Sequence, residues 1–454
     1  MNGTSAETAV IGAGIVGIAV AYALCVTHGR RNVVLLEPGT PMGLTSAQSG
    51  DNYRNWWPHP VMRAFTDDSI GRMEAVAAVT GNRIAMTRRG YLLVTRRANP
   101  RDLIDELHAG YGGDADHRIR LHHTEAGYDP ARSADWQTAP DGVDVLLKPA
   151  LIRLNFPSLA PDVAAALHIR RGGDISGQQL GQFMLEAIRA AGGRLIRARV
   201  THITHPAPFV LALETPVGHG TLRAEIIVNA AGPYIGEVAA MLGETLPIAN
   251  IPQQKITFED RAGAIPRTLP FTIDLDGQSL AWSDEDRALL AADPATEALA
   301  HPMPGGIHCR PDGGEGGKWI KLGWAYNQSS APPSDTPTLD PHFPDVVLRA
   351  ASRLHPSLAP YIGHLPRNAV HYGGAYTMTP ENWPLIGPMR TPGAFLAGAL
   401  SGFGTMSACA AGALCAAWIT GAALPHYARS LSPARFGDAA LMAELAGQRS
   451  KGVL

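Results

Sequence analysis

"TAVIGAGIVGIAVAYALC", Thr8 to Cys25, is the stretch on which the reading of this chain turns. It opens as a short β-branched run, passes through glycines and continues as an apolar, alanine-rich helix. Gly12, Gly14 and Gly17 stand in the spacing G-x-G-x-x-G. The first glycine of such a motif permits a tight turn, the second lets the backbone approach a pyrophosphate, and the third lets helix and strand pack closely. The helix N-terminus adds free N–H groups and a positive dipole end. "NVVLLEPG" follows as a second buried strand ending in Glu37, where a carboxylate can accept both hydroxyls of a ribose. A plain structural turn would explain the glycines alone, but not glycines, strand, helix and acid together. The expectation is a β-α-β unit carrying a dinucleotide. An acid at position 37 disfavours NADP, because it would repel a 2′-phosphate.

FAD and NAD remain as alternatives, and three further stretches favour FAD. "GLTSAQSG" (Gly43 to Gly50) is rich in small hydroxyl residues and can lie under a second phosphate and beside an isoalloxazine ring; an ordinary polar loop is the other reading. "IIVNAAGPY" (Ile226 to Tyr234) repeats the strand-to-small-residue turn. "LAGALSGFGTM" (Leu396 to Met406) places glycines before a last alanine-rich helix, whose N-terminus can stabilise negative charge on a reduced flavin. Candidate cofactor contacts are Gly12, Gly14, Ile15, Val16 and Gly17 at the first turn, then Glu37 and Pro38 after the second strand. Thr45, Ser46, Ser49 and Gly50 follow in the small-residue segment, with Val200, Ala231 and Gly232 in the second unit. Gly402, Gly404, Thr405 and Met406 complete the set before the last helix.

Composition sets wide bounds. The 454 residues suggest two to three domains' worth of chain, and an apolar fraction of 45% suits a large core. With 38 basic and 40 acidic side chains, nucleic acid and anionic membrane are not expected partners. Cys25, Cys309, Cys409 and Cys415 are scattered without metal-ligand spacing, so no metal and a cytoplasmic location are expected. Thr391 to Pro425 carries no charge, but its Gly/Ala content and the "SGFG" break read as strand, turn and buried helix, not as a membrane span.

Elsewhere, Ile175, Leu180, Phe183, Met184, Ala187 and Ile188 have helical spacing, closed by Gly192 and Gly193. "PFVLALETPVGHGTLRAEIIVNAAGPY" reads as a hairpin followed by another strand, and "GGIHCRPDGGEGGKWIKLGWAYN" as a hairpin around a glycine turn. The expected fold is a Rossmann-like α/β FAD-binding domain built from discontinuous segments, with an inserted α+β substrate domain on an antiparallel sheet. Residues 1–82, 158–245 and 367–430 are assigned to the first, 83–157 and 246–366 to the second, and 431–454 to a C-terminal tail.

In order along the chain, "VIGAGIVG", "LLEPG", "TSAQSGDNYR", "VNAAGPY", "YTMTPENWPLIGP" and "AGALSGFGTM" resemble the D-amino-acid-oxidase-type flavoenzymes. The similarity is to the branch of monomeric sarcosine oxidase and glycine oxidase, and it covers most of the chain. The resemblance implies oxidation of the C–N bond of a small amine or N-substituted amino acid. Hydride passes to flavin N5, and the imine product hydrolyses. It also implies a catalytic tyrosine, Tyr376. The family's flavin-linking cysteine corresponds to Gly374, which implies non-covalent FAD, with Cys309 and Cys409 as other formal attachment points. The family's carboxylate-binding lysine corresponds to Met406, so Arg54 or Arg310 would take that carboxylate by bidentate pairing.

Arg54 and Tyr376 are thus the catalytic candidates, and Trp56, Trp57, His308 and Arg310 the substrate candidates. The tryptophans are read either as an aromatic cage for an amine or as core packing, and Arg54 as a substrate or flavin ligand or a structural ion pair. His59, His371 and Trp383 are not candidates, and Lys321, on the same hairpin as His308 and Arg310, is read either as lining the substrate side or as a surface residue and is left unassigned. The electron acceptor is oxygen, a quinone or an electron-transfer protein, with Lys255 the candidate for an oxygen-activating lysine. The competing readings are a flavin-binding protein without turnover and a nicotinamide-dependent dehydrogenase.

Overall fold

A computed structural model describes residues 4–124, 127–130, 136–294, 296–314 and 316–448. The first strand, Thr4–Ile11, runs parallel to Val33–Glu37 on one side and to the end of Gly218–Asn229 on the other. Its neighbours extend the sheet to eight strands among the described residues, including Arg194–Arg197, Leu385–Pro388 and Ala394–Gly398. The continuous apolar runs are explained by burial on both faces. Val10, Val33 and Leu35 turn into the core shared with the helices, while Ala9, Ile11, Val34 and Leu36 turn into the core on the opposite face.

The helical layer is built on close contact. Helix Ile15–Tyr22 packs against Gly404–Thr420, and a Cβ on Gly412 would lie 2.3 Å from the backbone of Ala19. The alanines and Gly412 let the two backbones approach, which accounts for the chargeless C-terminal stretch. Among the described residues no helix is long and apolar enough to cross a membrane.

Among the described residues the second sheet has nine strands. Its core is the expected hairpin, Ile307–Asp312 with Trp319–Gly323, flanked by Ala249–Glu259 and then Val370–Met378. The sheet is mixed and not purely antiparallel. Tyr91–Thr95 runs parallel to Phe271–Asp274, and Ile119–His122 parallel to Val143–Leu146.

Several readings differ from the structure. The segment read as a hairpin plus a further strand is one hairpin whose second strand, Gly218–Asn229, continues unbroken to the small-residue turn. Ala165–Ile169 and Val370–Met378 are strands of the nine-stranded sheet, although the boundaries at 157/158 and 366/367 put them with the nucleotide-binding segments. Strand pairing overrides proximity in sequence at both places. The described part of 431–454 is docked: Leu431 and Arg435 are buried, and helix Ala439–Ala446 sets Leu445 into the core. Residues 449–454 lie outside the described residues.

Candidate active site

A cavity of about 750 Å³ runs between the two sheets, within the size range of cofactor sites. Its nucleotide end is built as the glycine spacing requires. Gly12 has φ 103°, and a Cβ there would sit 2.4 Å from the Ala230 carbonyl oxygen. A Cβ on Gly17 would sit 2.0 Å from the Gly12 carbonyl oxygen, so Gly17 serves the packing of helix on strand and does not line the cavity. Gly14, Ile15 and Val16 do line it, at the helix N-terminus. The Ser46 hydroxyl accepts from the Ile15 N–H at 3.0 Å and leaves its own proton to donate. Glu37 accepts from the Ala13 and Gly39 N–H groups, one on each carboxylate oxygen, both at 2.9 Å. The carboxylate is thereby held at the cavity wall beside Pro38 with lone pairs to spare for ribose hydroxyls.

Farther along, Thr45, Ser49 and Gly50 form one wall, and Val200, Ala231 and Gly232 another. Ser49 Oγ and Thr405 Oγ1 lie 2.8 Å apart, which ties the small-residue segment to the N-terminus of the last helix. Ala399 and Ser401, in the turn before that helix, have φ 56° and 45°. Non-glycine residues seldom adopt this left-handed region, and such strain gathers at functional sites. Ser401 N–H donates to the Thr377 carbonyl at 3.0 Å and holds the turn against the second sheet. Gly402, Gly404 and Thr405 face the cavity, while Met406 is packed in the helical core and does not. As the third residue of that helix it turns away from the cavity. A dinucleotide cradle of small residues, exposed helix N-termini and an anchored acid fits FAD.

At the other end, Tyr376 and Lys255 line the cavity with Gln48 and Gly374. A Cβ on Gly402 would sit 2.6 Å from the Tyr376 ring, so that glycine makes room for it. No cysteine or histidine of the described residues lines the cavity.

The remaining candidates lie outside it. Arg54 is buried, with its guanidinium 4.8 Å from the Trp57 ring centroid and 5.5 Å from that of Tyr91. Burial pulls the guanidinium pKa down to about 10. Trp56 and Trp57 belong to two hydrophobic cores, and Trp57 meets Phe403 edge-on at 4.8 Å. They pack; they form no cage around the cavity, because helix Pro60–Val79 follows at once and draws the loop inward. His308 and Arg310 sit on an interior strand. His308 Nδ1 is 3.0 Å from the Gly306 carbonyl oxygen, and burial, followed by the nearby Lys255 charge, lowers its pKa to about 3. Arg310 is committed to Asp312, at 2.9 Å, and to backbone carbonyls.

Asp335 and Arg199 had no motif to mark them; Asp51 and Tyr234 lie within the quoted motifs but were not singled out, and Lys321 was left unassigned. Asp51 has φ 58°, and burial lifts its carboxyl above the usual range against the lowering charges of Lys321 and Arg310. Lys321 is half-buried and lies 3.5 Å from Asp312, with burial and then the Arg310 charge lowering its pKa. Asp335 accepts from Tyr234 Oη at 2.8 Å and pairs with Arg199 at 3.2 Å, and all three line the cavity.

Comparison with known proteins agrees with this construction. The chain is 25% identical to human mitochondrial dimethylglycine dehydrogenase over 441 residues, which is 95% of this chain and 44% of that protein. It thus spans less than half the length of that relative. Glycine oxidase from Geobacillus kaustophilus has a similar fold, with TM-score 0.69, 17% identity and coverage of 95% of this chain and 98% of that one. L-proline dehydrogenase from P. horikoshii gives TM-score 0.70, 18% identity and coverage of 96% and 98%. The family model described as FAD dependent oxidoreductase matches residues 7–418, and with the cradle built for that dinucleotide the chain belongs to this family.

Proposed function

We propose that this protein oxidises the C–N bond of a small amine or N-substituted amino acid. The observation that carries the reading is the single cavity that joins the dinucleotide cradle to the end lined by Tyr376 and Lys255. A substrate bound at that end is enclosed between the two sheets, beside the strained Ala399–Ser401 turn. FAD, when bound, supplies the two-electron acceptor for the hydrogen leaving the carbon next to nitrogen.

The chain's own residues have positioning tasks. Tyr376 provides a wall and a phenolic hydroxyl, and Gly402 leaves space for its ring. The N-terminus of Gly404–Thr420, which has no side-chain cap, directs its positive end at the cavity, where it favours developing negative charge. FAD is held without a thioether bond. The support is that Cys309 is buried in the second core, Cys409 lies beyond the cavity wall, and position 374 is glycine. The imine formed is released to water and hydrolyses there.

The test begins with the visible spectrum of the purified protein, followed by anaerobic addition of N-methylated amino acids and of the matching amines. Bleaching of the flavin band by one of these compounds is the expected result. A yellow protein that none of them bleaches would overturn the reading. Mixing the reduced protein with oxygen, a quinone or an electron-transfer flavoprotein then identifies the acceptor.

A further inference from the structure

The charges around the cavity are segregated. Its acids are Glu37 and Glu237, in the nucleotide-binding segments, and Asp335, on the strap that connects strand Trp319–Gly323 to helix Phe343–Leu354 and meets them. Among the described residues two cations line it. Arg199 is already paired with Asp335. The other is Lys255, on strand Ala249–Glu259 at the end shared with Tyr376.

Lys255 is 9% exposed. Its Nζ lies 3.5 Å from the Gln48 carbonyl oxygen and 5.6 Å from the centroid of the Tyr376 ring. Neither contact carries a full negative charge, and Lys255 pairs with no carboxylate among the described residues. The buried and half-buried cations nearby are treated differently. Arg310 and Lys321 share Asp312, and Arg89 is held by Asp174. A buried ammonium without an anion is costly, and the cost falls when a bound anion completes the pair. The positions from which a carboxylate ligand was expected offer none here: Arg54 and Arg310 lie outside the cavity, and Met406 packs in the core.

We infer that Lys255 anchors a carboxylate of the substrate, so that the substrate is an amino acid and not a plain amine. The inference rests on the proposed oxidation and names the class of compound that enters it. A carboxylate on Nζ places the rest of a small amino acid against Tyr376, inside the cavity. Lys255 is then a specificity-determining residue contributed by the second sheet.

The test uses the FAD-loaded protein and its Lys255→Met and Lys255→Arg variants, each first checked for FAD content and circular dichroism. Acetate and benzoate are titrated as carboxylate probes, read by perturbation of the flavin absorption band. The expected result is saturable binding to the wild type, weakened about 10- to 100-fold in Lys255→Met and largely restored in Lys255→Arg. Anaerobic flavin reduction is then compared within the pairs N-methylglycine and dimethylamine, and proline and pyrrolidine. The acid of the productive pair should lose its advantage in Lys255→Met through a raised KM.

Equal affinity of Lys255→Met and wild type for both probes overturns the inference. So does absence of saturable binding to the wild type, or equal reduction by acid and amine. In those cases bleaching by an amine still upholds the proposed oxidation. Conversely, if no compound reduces the flavin, the oxidation reading fails while the probe titration still decides whether Lys255 holds a carboxylate.

Discussion

The Arg310 guanidinium donates through Nε and Nη2 to the Gly50 carbonyl, at 3.2 and 2.9 Å. Strand Ile307–Asp312 therefore reaches across and holds the wall of the cofactor cavity from behind. Arg310 stands opposite Lys321 in the hairpin, and Asp312 balances both charges.

Replacing Arg310 with methionine should free Gly50 and leave Asp312 undercompensated in the interior. Breaking a buried pair from one side costs about 3–5 kcal/mol. The expected outcome is a lower apparent Tm and a lower FAD content after gel filtration, both only partly recovered by Arg310→Lys. Retention of full FAD occupancy and Tm in Arg310→Met would falsify the supporting role.

Arg435 makes a second internal clamp. Its Nε donates to Glu381 Oε1 at 2.8 Å and its Nη1 to the Pro384 carbonyl at 2.6 Å, in full burial. The C-terminal segment thus pins the loop that leads from Tyr376 back to the first sheet. Arg435→Ala should lower stability by about 3–5 kcal/mol in urea unfolding. Adding Glu381→Leu to Arg435→Met should recover part of the loss, because the second change removes the stranded carboxylate. If the double variant is no more stable than Arg435→Met alone, the coupling is wrong.

Acid stability follows from three buried imidazoles. Burial, the largest cause in each, lowers His168 to about 3, His308 to about 3 and His355 to about 4. The Arg170 charge lowers His168 further, and the Lys255 charge lowers His308 further. Unfolded, each titrates near 6.5. Between these values the unfolded chain binds more protons than the native one, so stability rises with pH up to about 6.5 and falls below it. Each histidine adds a slope of up to about 1.4 kcal/mol per pH unit. The urea midpoint should therefore drop between pH 7 and pH 5, and His355→Gln should flatten that drop. An unchanged slope in the variant argues against native neutrality of this imidazole.

Asp335 and Tyr234 close one side of the cavity through a partly exposed contact. Exposed pairs contribute about 0–1 kcal/mol. Asp335→Ala and Tyr234→Phe should therefore speed FAD release by only a few-fold, measured as recovery of free-flavin fluorescence on dilution. A hundredfold acceleration would assign the strap a much larger part in cofactor retention.

Much of the fold was legible because its signals are local. The continuous apolar run Val33 to Leu36 and the glycine spacing at Gly12, Gly14 and Gly17 each act within a few residues, through backbone dihedrals and adjacent hydrogen bonds. The same holds for the hairpin around Gly313 and for the turn before the last helix. The site was legible only where it coincides with such turns.

Chemistry-bearing side chains outside the turns were another matter. Arg54, Trp56 and Trp57 have the composition of a reaction chamber, yet helix Pro60–Val79 carries them into the core. Lys255 and Asp335 have no local signature, yet strand register and a crossing strap bring them to the cavity. Backbone conformation is written into neighbouring residues, whereas burial and charge pairing depend on groups hundreds of residues apart. For that reason the residues of this chain specified the cofactor cradle directly, and the assembled sheets selected which of its many cations line the cavity.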